Sequence, residues 1–160
     1  RKMYKVGFGY DVHQFKIGES FILGGVEIDF EKGVCGHSDG DVLTHSIIDA
    51  ILGASANGDI GKHFPSDEAK WKNFSSIKML KIVYSELIKD NFKIEHLDSV
   101  IVLQQPNVSR YIEEMQNNII NTFNGSNCTI SIKATTTDNL GFIGEGKGIA
   151  CQAVATLIKK

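Results

Sequence analysis

Segments of strand and helix character alternate along the whole chain, and this alternation limits the available folds more than any other feature. Apolar and polar residues alternate at 6–13 and 128–133 with the period of two that is typical of a half-buried strand. Apolar residues at helical spacing follow at 42–52, 77–88 and 112–123. Interleaved strands and helices predict an α+β fold (an α/β-type sandwich) with a mixed β-sheet packed against helices.

Turn and cap residues predict where these segments begin and end, because glycine and proline interrupt regular structure and serine and aspartate cap helices. The predicted boundaries are a hairpin over 21–28 that turns at Gly24–Gly25, a helix start at Ser38 or Asp39, a loop over 58–71, a helix start after Ser75–Ser76, a strand over 98–104 and a Gly/Thr-rich loop over 135–148. Residues 148–158 are predicted as a final strand, with a short helix as the alternative.

Length and composition describe an ordinary globular chain. Its 160 residues are 42% hydrophobic and 22% charged, which predicts one domain over residues 1–160 with a core that needs no disulfides. The net charge of −2 argues against a nucleic-acid or anionic-membrane binder, and no apolar run approaches the roughly 18 residues of a membrane span. Cys35, Cys128 and Cys151 form no C-x-x-C motif and are predicted to be buried, reduced thiols.

Residue usage also bears on origin. Lysine supplies nearly all the basic charge, isoleucine and asparagine are abundant as in AT-rich coding sequences, and the chain begins with Arg1 and not with Met. These features predict a plastid-type organelle (apicoplast or chloroplast stroma) after removal of a transit peptide. The bacterial cytoplasm is the alternative.

Asp11, His13 and His45 are candidate metal ligands. Residues two apart on a strand point the same way, so Asp11 and His13 can meet one ion, and His45 lies in the first turn of the predicted helix. Two histidines and one aspartate suit Zn²⁺ and leave a fourth position open, as in catalytic sites. Taken alone, a D-x-H pair is also typical of a solvated or capping pair, and Asp41, His45 and Asp49 of a solvated helix face.

Two loops carry further candidate binding groups. The hydroxyl and backbone N–H groups of 133–139 suit phosphate oxygens, and Asp138 beside them can hold Mg²⁺. The alternative is a Thr-rich strand end with a turn. Asp59, flanked by glycines, can bind a sugar hydroxyl or simply belong to a helix exit. No Walker loop or complete dinucleotide fingerprint occurs.

Five motifs occur in this chain in the order in which they occur in one known family. Through them the chain resembles, over nearly its whole length, the 2-C-methyl-D-erythritol 2,4-cyclodiphosphate synthases of the non-mevalonate isoprenoid pathway. The motifs are G-x-G-x-D-V-H at 7–13, L-G-G-V-x-I at 23–28, G-x-x-G-H-S-D-G-D-V at 33–42, D-A-x-L-G-A-x-x-x-G-D-I-G-K-x-F-P at 49–65 and K-A-T-T-T-D-x-L-G-F-x-G at 133–144.

This resemblance implies a lyase that converts 4-diphosphocytidyl-2-C-methyl-D-erythritol 2-phosphate to the cyclodiphosphate and CMP by metal-assisted intramolecular phosphoryl transfer. It places Zn²⁺, or another divalent transition metal, on Asp11, His13 and His45, and Mg²⁺ or Mn²⁺ on Asp138. These four residues and Thr136 are the implied catalytic set.

The resemblance also implies substrate contacts along the chain. The implied substrate-binding residues are His37 and Ser38 at the erythritol phosphate, Asp59 and Gly61 around the sugars, Thr135 and Thr136 at the diphosphate, Leu103, Gln104, Gln105, Pro106, Asn107, Val108 and Ser109 at the cytosine, Phe142 at an axial cavity, and Phe64.

Finally, the resemblance implies a homotrimer around a threefold axis, with active sites between subunits and an axial cavity that can hold an isoprenoid diphosphate. No nucleic-acid or membrane partner is expected. Two other functions compete with this interpretation. A metal-dependent phosphohydrolase would use the same histidines and aspartate to activate water and release free phosphate. A non-enzymatic zinc trimer would only bind an isoprenoid diphosphate.

Overall fold

The computed structural model describes all residues, Arg1–Lys160, and contains a five-stranded mixed sheet with the strand order β4-β1-β7-β5-β6. Neighbouring strands are antiparallel except for β5 and β6, which are parallel. A separate hairpin pairs β2 with β3. The strands are β1 (Met3–Ile17), β2 (Ile22–Leu23), β3 (Val26–Glu27), β4 (Lys32–Val34), β5 (Phe92–Val102), β6 (Thr129–Thr135) and β7 (Gly148–Lys159).

Helices cover one face of this sheet, with α1 lying across β1 and β7 and α4 against β6. The predicted α+β fold with a mixed sheet is therefore confirmed. No helix has both the length and the apolar character that crossing a bilayer requires. The helices are α1 (Val42–Ala54), α2 (Ile60–His63), α3 (Ser76–Val83) with a π-helical continuation over Tyr84–Ile88, α4 (Ile112–Asn121) and α5 (Gly141–Gly144), and 3₁₀ turns occupy Ala69–Trp71 and Ser109–Tyr111.

Two strands are longer than predicted. The first covers Met3–Ile17 because its residues 3–14 all pair with β7, and such pairing with a distant segment leaves no local sequence signal. The fifth strand already begins at Phe92. The short helices α2 and α5 lie in segments that were predicted as loops.

The predicted cap of the first helix at Ser38 or Asp39 is wrong, because Asp41 caps α1. The Asp41 carboxylate is fully buried and accepts the backbone N–H and the hydroxyl of Thr44, at 2.9 and 2.8 Å. It also accepts the N–H groups of Gly24 and Gly25 in the β2–β3 turn, at 3.0 and 2.9 Å. Asp41 is thus a structural link between hairpin and helix, and not part of a solvated helix face.

Glycines on β1 allow the first helix to lie unusually close to the sheet. A Cβ atom at Gly7 would lie 1.9 Å from the carbonyl oxygen of Ala50, and one at Gly9 would lie 1.8 Å from that of Ser46. Any side chain at either position would therefore displace α1. Because side chains alternate along a strand, Asp11 and His13 face the same helix further along β1.

The opposite side of β1 carries a row of large apolar side chains that this chain does not cover. Val6, Phe8, Tyr10 and Val12 are 67%, 61%, 51% and 40% exposed, and Val154 of the adjacent β7 is 39% exposed. A contiguous apolar patch of this kind typically marks an interaction surface. We call these five residues the β1 stripe.

The cysteines only partly follow the expectation of buried thiols. Cys128 and Cys151 are buried, and burial raises the pKa of Cys128 to about 11 and that of Cys151 well above its usual value. Cys35 is exposed, because it lies in the loop that follows the last residue of β4. The prediction for Cys35 is therefore wrong.

Candidate metal centre and nucleotide cleft

Asp11, His13 and His45 meet at the junction of β1 and α1. One oxygen of Asp11, Oδ2, lies 3.1 Å from His13 Nε2 and 3.1 Å from His45 Nδ1. One ligand atom from each residue lies within 4.8 Å of the others. The side chains are partly buried, with 24%, 23% and 12% of their surfaces exposed.

The charges in this cluster are coupled. Burial alone would raise the pKa of Asp11, but the hydrogen bonds and positive charge of the two histidines outweigh it and lower the value to about 2. Burial would lower the pKa of His45, but the hydrogen bond and charge of Asp11, with the charges of Asp41 and Asp39, raise it. The Asp11 carboxylate therefore stays ionised at neutral pH, as a metal ligand must.

The donor set fits a divalent metal ion. Zn²⁺ binds nitrogen and oxygen at about 2.0–2.2 Å, so neighbouring ligands of a tetrahedral ion lie roughly 3.4 Å apart. The two separations from Asp11 to the histidines, 3.1 Å each, are close to this value, and all three ligand atoms lie within 4.8 Å of one another. Three protein ligands leave one position for a substrate oxygen. The triad that was predicted from the spacing is thus a potential metal-binding site, and the identity of the metal stays a prediction.

The second ring nitrogen of His45 faces two serine hydroxyls. His45 Nε2 lies 3.0 Å from Ser38 Oγ and 2.8 Å from Ser76 Oγ. The Ser76 hydroxyl also forms a very short hydrogen bond to Asp39 Oδ1, and the backbone N–H of Ser76 donates to Asp39 Oδ2 at 2.9 Å. Ser38, a predicted substrate-binding residue, therefore adjoins the metal triad directly.

The other predicted sugar and phosphate contacts lie on the segments that directly precede and follow α1. His37 Nε2 lies 3.1 Å from the carbonyl oxygen of Glu68. Asp59 caps α2 by accepting the backbone N–H of Lys62, and Gly61 is exposed in that helix. Phe64 is 7% exposed and packs edge-to-face on Trp71 with ring centroids 4.8 Å apart. Substrate contact by these residues stays a prediction, and the Phe64 side chain contributes to the core.

A separate cleft of about 520 Å³ contains the predicted cytosine pocket. It is formed by the loop that follows β5 and by the end of β6, and none of the metal triad lines it. Its lining residues are Phe30, Leu103, Gln104, Gln105, Pro106, Asn107, Val108, Ser109, Ala134, Thr135 and Thr136.

The turn after β6 joins this cleft to the predicted second metal ligand. Asp138 and Asn139 adopt left-handed backbone conformations, with φ of 52° and 64°. The N–H of Asp138 donates to the Thr136 hydroxyl at 3.2 Å, and the N–H of Asn139 donates to Gln104 Oε1 at 3.0 Å. The turn thus holds the exposed Asp138 carboxylate beside the threonines and the loop that follows β5.

A third cleft, of about 640 Å³, lies beside the β1 stripe and includes Phe142. Phe142 is 49% exposed. Lys32 and Lys147 line the cleft with Glu145, and the Lys147 ammonium pairs with that carboxylate at 2.6 Å. His13 also lines it, so this cleft adjoins one residue of the metal triad.

The profile of the YgbB family matches residues 4–158. The chain belongs to the YgbB family. A Clostridium botulinum (strain Alaska E43) protein named 2-C-methyl-D-erythritol 2,4-cyclodiphosphate synthase is 51% identical over 156 residues, which are 98% of this chain and 99% of the relative. A protein of the same name from Alkaliphilus oremlandii is 48% identical, over 97% of this chain and 99% of its own.

Solved structures of YgbB relatives agree with this membership. The bifunctional IspDF of Campylobacter jejuni superimposes with a TM-score of 0.92 at 37% identity, and covers all of this chain, which corresponds to 43% of that longer protein. The Plasmodium falciparum IspF CDP complex has a TM-score of 0.82 at 36% identity, over 98% of this chain and 97% of its own.

These comparisons confirm the resemblance inferred from the five motifs and the prediction of an enzyme. They do not support the expected plastid-type location, because the curated relatives of this YgbB chain are bacterial.

Three polar residues around the triad of this YgbB chain escaped the sequence-based site prediction. Asp39 and Ser76 form the pair behind His45, and Asp49 accepts the N–H of Ile60 at 2.7 Å, which ties α1 to α2. Asp39 and the Ser75–Ser76 pair carried a signal, since both marked expected helix starts. Nothing in the linear pattern indicated that Asp39 and Ser76 meet.

Proposed function

We propose that this chain converts 4-diphosphocytidyl-2-C-methyl-D-erythritol 2-phosphate into 2-C-methyl-D-erythritol 2,4-cyclodiphosphate and CMP, in isoprenoid precursor biosynthesis. The observation that carries the proposal is the preformed Asp11–His13–His45 triad on the scaffold of the YgbB family. The relatives' names describe this synthase, and a relative of similar structure is a CDP complex. The bacterial sources of the relatives favour the bacterial cytoplasm as its location.

The reaction needs two negatively charged groups of one substrate to approach each other. An oxygen of the 2-phosphate forms a bond to the β-phosphorus, the bond between that phosphorus and the oxygen bridging to the α-phosphate breaks, and CMP leaves with the electron pair. No water is consumed. Orientation of the two groups in one site can supply much of the rate enhancement, because the free substrate is flexible and its charged phosphates repel each other.

Cations would be held at two places. Asp11, His13 and His45 would bind Zn²⁺ or another divalent transition metal, and Asp138 would bind Mg²⁺ or Mn²⁺ with substrate phosphates. Such ions polarise phosphoryl oxygens and offset the repulsion between the phosphates. The hydroxyls of Thr135 and Thr136 border the nucleotide cleft, where they can donate to the diphosphate.

His37 and Ser38 would position the erythritol phosphate. Ser38 is part-buried beside His45, and its hydroxyl has no partner other than that ring. Asp59 and Gly61, both exposed, would meet the sugars. Gln104 to Ser109 would surround the cytosine, with backbone groups of the loop providing the hydrogen bonds that select this base.

We further propose that the active chain is a homotrimer in which each site lies between subunits. The β1 stripe leaves five apolar side chains without cover in a single chain, which a neighbouring copy would bury. The metal triad and the nucleotide cleft share no lining residue, so a site between subunits would unite the triad of one chain with the cleft of the next. The cleft at Phe142 would then face the axis, where it could accept an isoprenoid diphosphate.

Product analysis tests the function directly. Mass spectrometry of a reaction with the diphosphocytidyl substrate, Zn²⁺ and Mg²⁺ should find CMP and the cyclodiphosphate in equal amounts. His45→Ala should abolish both products, while the matched variant His96→Ala should not, because His96 lies on β5 and its side-chain hydrogen bond is to Thr129 Oγ1, outside the metal triad. Release of free phosphate in place of the cyclodiphosphate would identify a phosphohydrolase instead.

A further inference from the structure

We infer that Ser76 is a positioning residue that fixes the tautomer of His45, so that His45 presents the lone pair of Nδ1 to the metal. The inference rests on the proposed metal site but not on the identity of the substrate. Ser76 is the first residue of α3, is 0% exposed and lies 31 positions from His45 in the chain.

The direction of the hydrogen bonds follows from the number of protons available. An ionised carboxylate only accepts hydrogen bonds, and a serine hydroxyl has a single proton to donate. The short contact between Ser76 Oγ and Asp39 Oδ1 therefore uses the serine proton. What remains on Ser76 Oγ is a lone pair, and it faces His45 Nε2 at 2.8 Å.

A lone pair at that distance requires a proton on His45 Nε2. In a neutral imidazole the other nitrogen then carries the free lone pair. That nitrogen, Nδ1, lies 3.1 Å from Asp11 Oδ2. Because a carboxylate only accepts, this metal-free contact uses a proton on Nδ1, which a bound ion would replace while the proton on Nε2 stays with Ser76. The series of hydrogen bonds from Asp39 through Ser76 to His45 thus selects the tautomer of His45 that can bind the metal together with Asp11.

Asp39 is itself held in place, as this role requires. Its Oδ2 accepts the N–H of Ser76 at 2.9 Å, its Oδ1 accepts the N–H of Asp41 at 3.2 Å, and its own N–H donates to the carbonyl oxygen of Phe74 at 3.2 Å. The carboxylate cannot turn away from Ser76 without breaking these backbone contacts. Asp39 therefore acts on the metal ligand through the serine.

Ser38 is the natural comparison, because its hydroxyl lies near the same nitrogen. Its contact with His45 Nε2 is longer, at 3.0 Å, and Ser38 is only partly buried. No carboxylate takes its proton, which leaves Ser38 free to donate to a bound phosphate. The two serines beside His45 Nε2 thus have different roles. Ser76 orients the metal ligand, and Ser38 can donate a hydrogen bond to the substrate.

The test compares Ser76→Ala with Ser38→Ala in the full chain, in the absence of substrate. Zn²⁺ affinity is measured by competition with a chromophoric chelator. Loss of a group that orients a metal-bound histidine typically weakens metal affinity by about 10–100-fold, and we expect this for Ser76→Ala. Ser38→Ala should stay within about 3-fold of the unmodified protein. Equal affinities in the two variants would overturn the inference.

A second measurement does not depend on how well the variants fold. Long-range ¹⁵N–¹H NMR spectra of the unmodified, zinc-loaded chain with ¹⁵N-labelled histidine show which ring nitrogen of His45 carries the proton. A proton on Nε2 supports the inference, and a proton on Nδ1 contradicts it. If the chain binds zinc in this way but makes no cyclodiphosphate, the proposed function fails and the role of Ser76 stands.

Discussion

The metal triad and the nucleotide cleft differ in how well a single chain surrounds and orients their side chains. The triad lies between a long strand and a helix, and each of its side chains already has a partner: Asp11 contacts both histidines, and His45 is backed by two serines. At the other site Thr135, Thr136 and Asp138 are largely exposed on a strand end and turn. The metal triad is thus preorganised within a single chain. The nucleotide cleft is open to solvent in a single chain, and in the proposed trimer a neighbouring subunit would cover it.

Dissociation of the proposed trimer should affect the metal triad and the nucleotide cleft most differently. Phe8→Asp places a charge in the centre of the β1 stripe, where Phe8 is 61% exposed in the single chain. We expect a monomer that retains Zn²⁺ binding but loses turnover by roughly 100-fold or more, because the orientation of the phosphates is lost. Sedimentation equilibrium and chelator competition measure the two properties.

Asn117→Asp is the matched control, since it adds the same charge at an exposed position of α4. It should leave both the trimer and the turnover unchanged. A Phe8→Asp monomer with full activity would show that the two sites act within one chain, and the comparison drawn above would then be wrong.

Asp138→Asn should affect only the nucleotide side. Asparagine preserves the shape of the left-handed turn, which it tolerates well, but removes the charge that would hold Mg²⁺. We expect turnover to fall by roughly 100-fold, the usual cost of losing one group that stabilises transition-state charge. Zn²⁺ content, measured by metal analysis, should not change. Unaltered dependence of the rate on Mg²⁺ concentration would exclude Asp138 as its ligand.

His37→Gln should have a smaller effect, because the proposed nucleophile needs no base. A phosphate monoester has its second pKa near 6 and is largely dianionic at neutral pH. Glutamine keeps a donor for the carbonyl oxygen of Glu68, and we expect less than about a 10-fold loss, whereas removal of a general base costs about 10²–10⁴-fold. The kcat–pH profile should rise and level off in both proteins. Restoration of an inactive variant by added imidazole would identify His37 as a base.

The smallest effect concerns the stability of the metal-free chain. The pKa of Asp11 is lowered to about 2 in the folded chain. Its ionised carboxylate therefore contributes about 2 kcal/mol to the free energy of unfolding above the pKa of aspartate in the unfolded chain, near 3.9, and this contribution is lost as pH falls toward 2. The pKa of His45 is raised, so its contribution is complete below about 6.5 and is lost as pH rises through the folded value.

Urea unfolding of the metal-free protein should therefore find this contribution at its largest between about pH 4 and 6.5. Asp11→Asn should lower the free energy of unfolding most within that window, because it removes the carboxylate that stabilises both histidines. A loss of equal size at pH 2, 5.5 and 9 would show that the charges of the triad do not contribute to stability.

The sequence predicted what depends on local spacing. Asp11 and His13 share a strand face because side chains alternate with a period of two, and His45 lies on the first turn of α1 because the helical pattern begins just before it. The hairpin at Gly24–Gly25 and the last strand were predicted correctly for the same reason.

Contacts between distant segments could not be predicted in this way. Asp41 caps α1, in place of Ser38 or Asp39, because the glycine turn of β2–β3 supplies two further N–H groups to its carboxylate. The meeting of Asp39 with Ser76, 37 positions apart, depends on how α3 packs. Alternation on β1 also did not reveal which side faces the helix, since the buried side there carries glycines and the exposed side carries the large apolar residues.

The close approach of α1 to Gly7 and Gly9 has a consequence for the ion itself. Ser46, whose carbonyl oxygen limits the space at Gly9, directly follows His45, while Asp11 is two residues beyond Gly9 on the same face of β1. The spacing of the metal ligands therefore depends on a residue that is not itself a ligand. A methyl group at position 9 would push away the backbone next to His45 and so separate that histidine from Asp11 on the strand.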